Sequence, residues 1–247
     1  MVHISIACLI YKSTTWLQFV YDQVRKYTDL NDKEFYFIAN DANEKVITYL
    51  KEHNIPHYIH NNTEEQKKEW YINNVYRAYN TACRESKGEF TVLINSDMAF
   101  SPNWLESLLD NYNDSRIVNS RLVERGVMSS GTYGIECNFG NIPSNYKELD
   151  FIEYRKNISE KKLMPGGLFM PFIIKTKFLK EINYYPEGNI KENSDIYNPI
   201  YAVQGDALIP GDQVFIKKLN NIGIYHYTDF NSIVYHFQEG EKRDTSE

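Results

Sequence analysis

Cysteine is scarce in this chain. Three stand at Cys8, Cys83 and Cys137 among 247 residues. They form no Cys-x-x-Cys pair and no Cys/His cluster, which argues against a structural zinc site. An odd, widely spaced set fits a reducing, intracellular setting. Long apolar runs are missing too. The opening MVHISIACLIY has no basic segment, and its apolar run is too short for a signal peptide or a membrane span. These absences lead us to expect a soluble, cytoplasmic protein with no transmembrane segment, peripheral membrane association remaining open. Basic blocks are also missing. Lys and Arg number 27 against 33 acids, a net charge of −6. A partner of duplex DNA or RNA would carry a clustered positive face, so no nucleic acid is expected. A nucleoside diphosphate is still compatible, because a metal ion can neutralise it locally. No Gly-x-x-x-x-Gly-Lys-Ser/Thr loop exists, which excludes a P-loop. No Gly-x-Gly-x-x-Gly follows the first strand, which argues against a dinucleotide site. No Gly-x-Ser-x-Gly elbow occurs.

What the chain has is length and aromatic rings. Its size suits one large α/β domain, or at most two small ones, with a sizeable core and no disulfide staple. Twenty Tyr, thirteen Phe and three Trp are present. Such rings suit sugar- or base-binding surfaces. Abundant Asn, Ile and Lys favour a plain compositional bias as the source of most of the tyrosines.

The first 110 residues alternate strand and helix. HISIACLI (3–10) is a continuous apolar run and reads as a buried parallel strand. Ser13 or Thr14 caps a helix over about 15–27. EFYFIAND is a second strand, with Asn43 or Asp41 capping the next helix. His57 to His60 forms a short third strand. One long helix is expected over 66–86, stopped at Lys87-Gly88. EFTVLINSD is a fourth strand, and Ser101-Pro102 opens the helix PNWLESLLDN. This order predicts a mostly parallel sheet flanked by helices. The second half is less regular. RIVNSRLV and GIECNFG are short possible strands between polar connectors, and MPGGLFMPFII is a Gly-Gly turn entering a strand. KTKFLKEI is a short helix, and 183–210 reads as a long Tyr-rich loop. GDQVFIKKLNNIG is an amphipathic helix, IGIYHYTD and SIVYHF are closing strands, and 239–247 is a polar tail.

In parallel sheets, ligands bind beyond the carboxyl ends of the strands. Those ends are Tyr11, Asn40-Asp41 and Asn95-Ser96-Asp97. One carboxylate with phosphate oxygens and waters suffices to hold Mg²⁺ or Mn²⁺, so Asp97 is a candidate. A strand-end Asp is more often a turn residue, and both readings stand on these residues alone. Asp212 has the same ambiguity, since an Asp ahead of an amphipathic helix is a common cap. A lone His such as His236 or His226 is more often structural. His53, His57 and His60 read as solvated or loop residues, and Gly166-Gly167 as a turn.

The sequence resembles the family 2 glycosyltransferases of the GT-A fold, over 3–110 and again over 165–238. ISIACLIYKS is similar to that family's opening strand, and FIANDAN to its second-strand acidic motif. NVYRAYNTACRESKGEFTVLINSDMAFSPNWLESLL is the most specific segment. It matches an Arg-x-x-Asn helix, a Gly, an apolar strand, an Asp-x-Asp-type motif and a Pro-x-x-Leu helix. Those positions are Arg77, Asn80, Gly88 and Asp97, with Asn95 in place of the first acid. The resemblance implies a single GT-A domain over 1–247. Residues 1–110 would be its nucleotide-sugar half and 111–238 its acceptor half. It implies nucleotide contacts at Tyr11, Asp41, Arg77, Ser96 and Asp97, with Arg77 on the nucleotide or bracing Asp97. It implies Mn²⁺ or Mg²⁺ on Asp97 and His236, with His226 the competing histidine. GDQVFIKKL resembles the family's Glu-Asp segment, with Gly211 replacing one acid. Asp212 is then the catalytic base, kept ionised by its helix N-terminus, and Asp206 is a rival base.

The implied activity is metal-dependent transfer of a sugar from a UDP- or GDP-type donor to a glycan or glycoconjugate hydroxyl, with inversion. Two other readings remain. A sugar nucleotidyltransferase would want a Gly-rich basic loop that LIYKSTTW lacks. A non-catalytic glycan- or protein-binding module is favoured by Asn95 and Gly211, which replace acids.

Overall fold

The computed structural model describes residues 3–128, 131–167, 169–190, 209–238 and 240–243. Strand β1 (Ile4–Ile10) is buried along its length. Its side chains alternate between two cores: Ile4, Ile6, Cys8 and Ile10 join one, Ala7 and Leu9 the other. Ser13 caps α1 (Thr14–Tyr27), its hydroxyl accepting the Trp16 N–H at 3.3 Å. Strand β2 (Lys33–Asn40), helix α2 (Glu44–Glu52, capped by Asn43) and strand β3 (His57–His60) follow as expected.

The long helix expected over 66–86 is broken. A 3₁₀ turn spans Gln66–Lys68, and α3 runs Ile72–Glu85. Glu69 between them is extended, with ψ 177°. Its carboxylate meets the buried guanidinium of Arg77 and the amide of Asn73. Pairing a buried charge outweighs the mild helix propensity of the intervening residues.

Strand β4 (Phe90–Ile94) is followed by a short β5 (Met98–Phe100), where the sequence reading assigns no element, and by α4 (Trp104–Asn111). Then come β6 (Arg116–Glu124) and the two-residue β7 (Ile135–Glu136). Helix α5 (Glu148–Ile158) lies in what reads as polar connector. Phe151 alone of its residues is buried, so it leaves little helical periodicity to detect. Strands β8 (Leu163–Pro165) and β9 (Phe172–Lys175) and helix α6 (Thr176–Glu181) follow. Residues 183–190 carry no helix or strand, and the rest of the expected loop, 191–208, lies outside the described residues. Helix α7 is Gly211–Asn221. The two closing strands are one strand, β10 (Tyr225–His236), with a register shift between Asp229 and Ile233. Residues Gly240–Arg243 form one helical turn, α8, within the segment read as a polar tail.

The sheet order is β3-β2-β1-β4-β9-β6-β10-β5, with β7 beside β6 and β8 beside β10. Strands β1, β2, β3 and β4 pair in parallel, while β9 is antiparallel to both β4 and β6. Helices α1, α2, α4 and α5 cover one face, and α3, α6 and α7 the other. The sheet is thus mixed, largely parallel and flanked by helices. Gly88 permits a close crossing: a Cβ there would lie 2.7 Å from the Ser5 backbone nitrogen. Among the described residues no helix is long and apolar enough to cross a membrane.

Candidate active site

Asp97 follows β4, and its side chain is buried at the carboxyl end of the sheet. Sheet pairing brings His236 to it. On one edge of β10, His236 lies opposite Met98 of β5, next to Asp97. On the other edge it lies opposite Glu124 of β6. His236 Nε2 stands 3.4 Å from Asp97 Oδ2, and Nδ1 stands 2.8 Å from Glu124 Oε1. Burial favours the neutral ring, but the two carboxylates prevail and push the His236 pKa up to about 10. Burial likewise works against the Asp97 carboxylate. The charge and hydrogen bond of His236 outweigh it and hold Asp97 below its ordinary range.

This donor set fits a small divalent cation. A carboxylate oxygen and an imidazole nitrogen face each other, and the second ring nitrogen is held by an acid, as is usual for metal-ligating histidines. Glu124 Oε2 is buried with no hydrogen-bond partner among the described residues. No group of three His, Cys, Asp or Glu able to hold a metal occurs among the described residues. Two protein ligands would therefore need phosphate oxygens and waters to complete a shell. The competing His226 sits elsewhere, its Nε2 2.5 Å from Asn119 Oδ1. Asn95 accepts a hydrogen bond from the Tyr79 hydroxyl.

Tyr11 and Ser96 border the same spot. Glu241, in α8, accepts the backbone N–H of Tyr11, Lys12 and Ser13 at 3.2, 2.8 and 3.3 Å. It also accepts the Ser96 hydroxyl at 2.9 Å. The Gly240 N–H donates to Asp97 Oδ2 at 3.1 Å. Tyr11, Ser96, Asp97 and His236 thus converge, while the Tyr11 ring is exposed.

Asp41 directly follows β2, the neighbour of β1, in a left-handed conformation with φ 47°. Its carboxylate accepts the backbone N–H of Asn62 at 2.9 Å and the Asn62 side-chain amide at 2.7 Å. Lys67 Nζ lies 3.8 Å away. Arg77 pairs with Glu69 and donates to Asn74 Oδ1 at 3.2 Å, so it braces the 64–74 segment rather than Asp97. Three polar atoms nearby are buried without a hydrogen-bond partner among the described residues: Arg77 Nε, His60 Nε2 and Asn62 Oδ1. The sequence alone gives His60 no role beyond that of a solvated or loop residue. Asn80 instead ties down the next loop, pairing with Tyr185 through both its carbonyl and amide.

Asp212 lies in the first turn of α7, but Pro210 is the cap. Asp212 Oδ1 accepts the N–H of Gln213 at 2.8 Å. The expectation that the helix end lowers its pKa is reversed. Burial is the larger effect and raises it, against the hydrogen bond from Gln213 and the pull of the Tyr76 hydroxyl. The Tyr76 ring also lies against Gly211, where a Cβ would come within 2.7 Å of it. Tyr76 stacks on Tyr185 at 5.1 Å, and Tyr185 on Tyr79 at 6.1 Å. Asp212 is therefore linked to the Asn95 end of the site through a stack of rings. The rival base Asp206 lies outside the described residues.

Comparison with protein families gives a match to glycosyl transferase family 2 over residues 5–182. The chain belongs to that family. A comparison with curated proteins gives no match. Among solved structures, the chain is similar to TarS residues 1–349 from S. aureus, at 14% identity and a TM-score of 0.57. That alignment covers 95% of this chain and 60% of the TarS structure. At that identity the likeness bears on the fold alone, and the fold is that of the GT-A glycosyltransferases.

The family match includes Tyr11, Asp41, Arg77, Ser96 and Asp97, while Asp212, His236 and Glu241 lie beyond it. Two contacts were missed in the sequence. Glu124 ends β6, whose RIVNSRLVE sequence mixes polar and apolar residues, so it gives a weaker strand-end signal than the apolar run before Asp97. Glu241 has no such signal, because it stands in a polar segment with no periodicity.

Proposed function

We propose that this chain transfers a sugar from a nucleotide-diphosphate donor, of UDP or GDP type, to a hydroxyl of a glycan or glycoconjugate, with inversion. The convergence of Tyr11, Ser96, Asp97 and His236 at the strand ends supports this reading, together with family membership. The base lies near Tyr11 and Asp41. Arg77 Nε offers a buried hydrogen-bonding atom not used within the described residues. The diphosphate runs toward Ser96 and Asp97. Asp97 and His236 would hold Mn²⁺ or Mg²⁺, which would offset the charge that develops on the departing diphosphate. Glu124 orients His236. Asp212 takes the acceptor proton as the hydroxyl oxygen attacks the anomeric carbon. Its raised pKa makes it a stronger proton acceptor than an exposed Asp.

The test is hydrolysis and transfer from UDP- and GDP-sugars. Asp97→Asn should cut turnover at least about a hundredfold and weaken binding of metal with nucleotide. Asp212→Asn should abolish transfer and spare nucleotide binding. Loss of both binding and transfer in Asp212→Asn would remove its role as base. A non-catalytic binding module is the second reading. Its support is that Asn95 is engaged by Tyr79 and Gly211 packs under Tyr76, so both positions serve packing. Binding without turnover for every donor would favour it.

A further inference from the structure

We propose that the 240–243 strap is an internal competitor of the donor: Glu241 fills an anion cradle at the start of α1 and must leave before the diphosphate enters. The proposal rests on the donor-site reading above. The cradle has four donors converging on one carboxylate. They are the backbone N–H groups of Tyr11, Lys12 and Ser13 and the hydroxyl of Ser96. These N–H groups lie in the loop that enters α1, and successive loop N–H groups aimed at one point make a concavity that favours negative charge, phosphate oxygens included. The α1 terminus does not need Glu241 as its cap, because the Ser13 hydroxyl already accepts the Trp16 N–H.

A second contact reaches the same centre independently. The Gly240 N–H donates to Asp97 Oδ2, the oxygen that faces His236. The fit is close enough that a Cβ on Gly240 would lie 2.5 Å from the Asp97 Cβ and 3.0 Å from the Trp16 ring. Two consecutive residues therefore cover Asp97, Ser96 and the Tyr11 loop together. A diphosphate lying across these strand ends would need the same atoms. The strap begins from a firm anchor. Phe237 N–H bonds to Asp97 O at 3.0 Å, and Gln238 Oε1 accepts the Val127 N–H at 2.7 Å. Beyond Gln238 the described strap is one helical turn, so releasing it disturbs little of the core. Apparent donor affinity is then the intrinsic affinity reduced by the fraction of molecules with the strap out.

The test uses the whole chain with the substitutions Glu241→Ala and Glu241→Gln. UDP and GDP are titrated with Mn²⁺ by calorimetry, and backbone hydrogen exchange is read at residues 11–13 and 240–243, with Phe237 as the anchored control. In Glu241→Ala the amides of Tyr11, Lys12 and Ser13 should lose protection, and the nucleotide should bind about tenfold tighter. Glu241→Gln should give a smaller change in the same direction. In the unsubstituted protein, inorganic pyrophosphate should expose 240–243 while keeping 11–13 and the Phe237 anchor protected. Equal or weaker nucleotide binding in Glu241→Ala would overturn the strap and leave the donor-site reading standing. No nucleotide binding to any of the three proteins would overturn the donor-site reading. The anion cradle then stands if pyrophosphate releases 240–243, and falls if it does not.

Discussion

If His236 is a metal ligand, the site's metal affinity must depend steeply on pH. His236 lies between Asp97, at 3.4 Å, and Glu124, at 2.8 Å. Burial favours its neutral form, yet the two acids push its pKa up to about 10. At neutral pH the metal-free protein therefore carries an imidazolium at this position. An imidazolium has no lone pair for a metal, so each ion bound must displace one proton. The sign follows from that exchange: affinity rises with pH. Between about pH 6.5 and 9 the Mn²⁺ dissociation constant should fall about tenfold per pH unit, ~1.4 kcal/mol each. The dependence should level off above about pH 10, where the ring is already neutral. Glu124→Gln removes one of the two charges that raise the ring, so levelling should move to lower pH. It also removes the orienting carboxylate, which should weaken limiting affinity by about 10- to 100-fold. The electron paramagnetic resonance amplitude of free Mn²⁺ measures this without any sugar transfer. A flat profile from pH 6.5 to 9 would refute His236 as a ligand. A Glu124→Gln curve that overlays the parent would refute the orienting role.

Two further outcomes follow from the local geometry. The Tyr76 hydroxyl works to lower the pKa of Asp212. Tyr76→Phe should therefore move the acid limb of the kcat/KM profile to higher pH, and a limb that stays put or moves down would remove Asp212 as the base. Gly88→Ala places a Cβ 2.7 Å from the Ser5 nitrogen and 2.8 Å from the Ile4 carbonyl carbon. It should cost about 1–3 kcal/mol in urea unfolding, and an unchanged midpoint would contradict the close crossing of β1 and the β4 entry.

Much of the fold is legible in the sequence because strands buried on both faces leave continuous apolar runs. The strand ends at Tyr11, Asp41 and Asp97 could be read by counting to the end of each run. The caps of α1 and α2 were equally legible, since Ser13 and Asn43 act on residues three positions away. Helix α5 was not, because a helix that buries one side chain has almost no amphipathic pattern. The break before α3 was hidden for another reason: it depends on Glu69 reaching Arg77 eight residues later.

Local sequence thus determined which carboxylates stand at the edge of the sheet, since strand length and alternation are near-neighbour properties. Tertiary structure alone decided what those carboxylates meet. His236 reaches Asp97 and Glu124 because β10 pairs with β5 on one edge and β6 on the other. Those pairings join segments more than a hundred residues apart, and no local rule encodes their register. Tertiary burial also reversed the direction expected at Asp212, because desolvation of a carboxylate exceeds the pull of a helix end. The seat of Glu241 on the Tyr11 loop belongs to the same class. Its neighbours in sequence are polar, and only close packing of Gly240 on Asp97 and Trp16 carries it there.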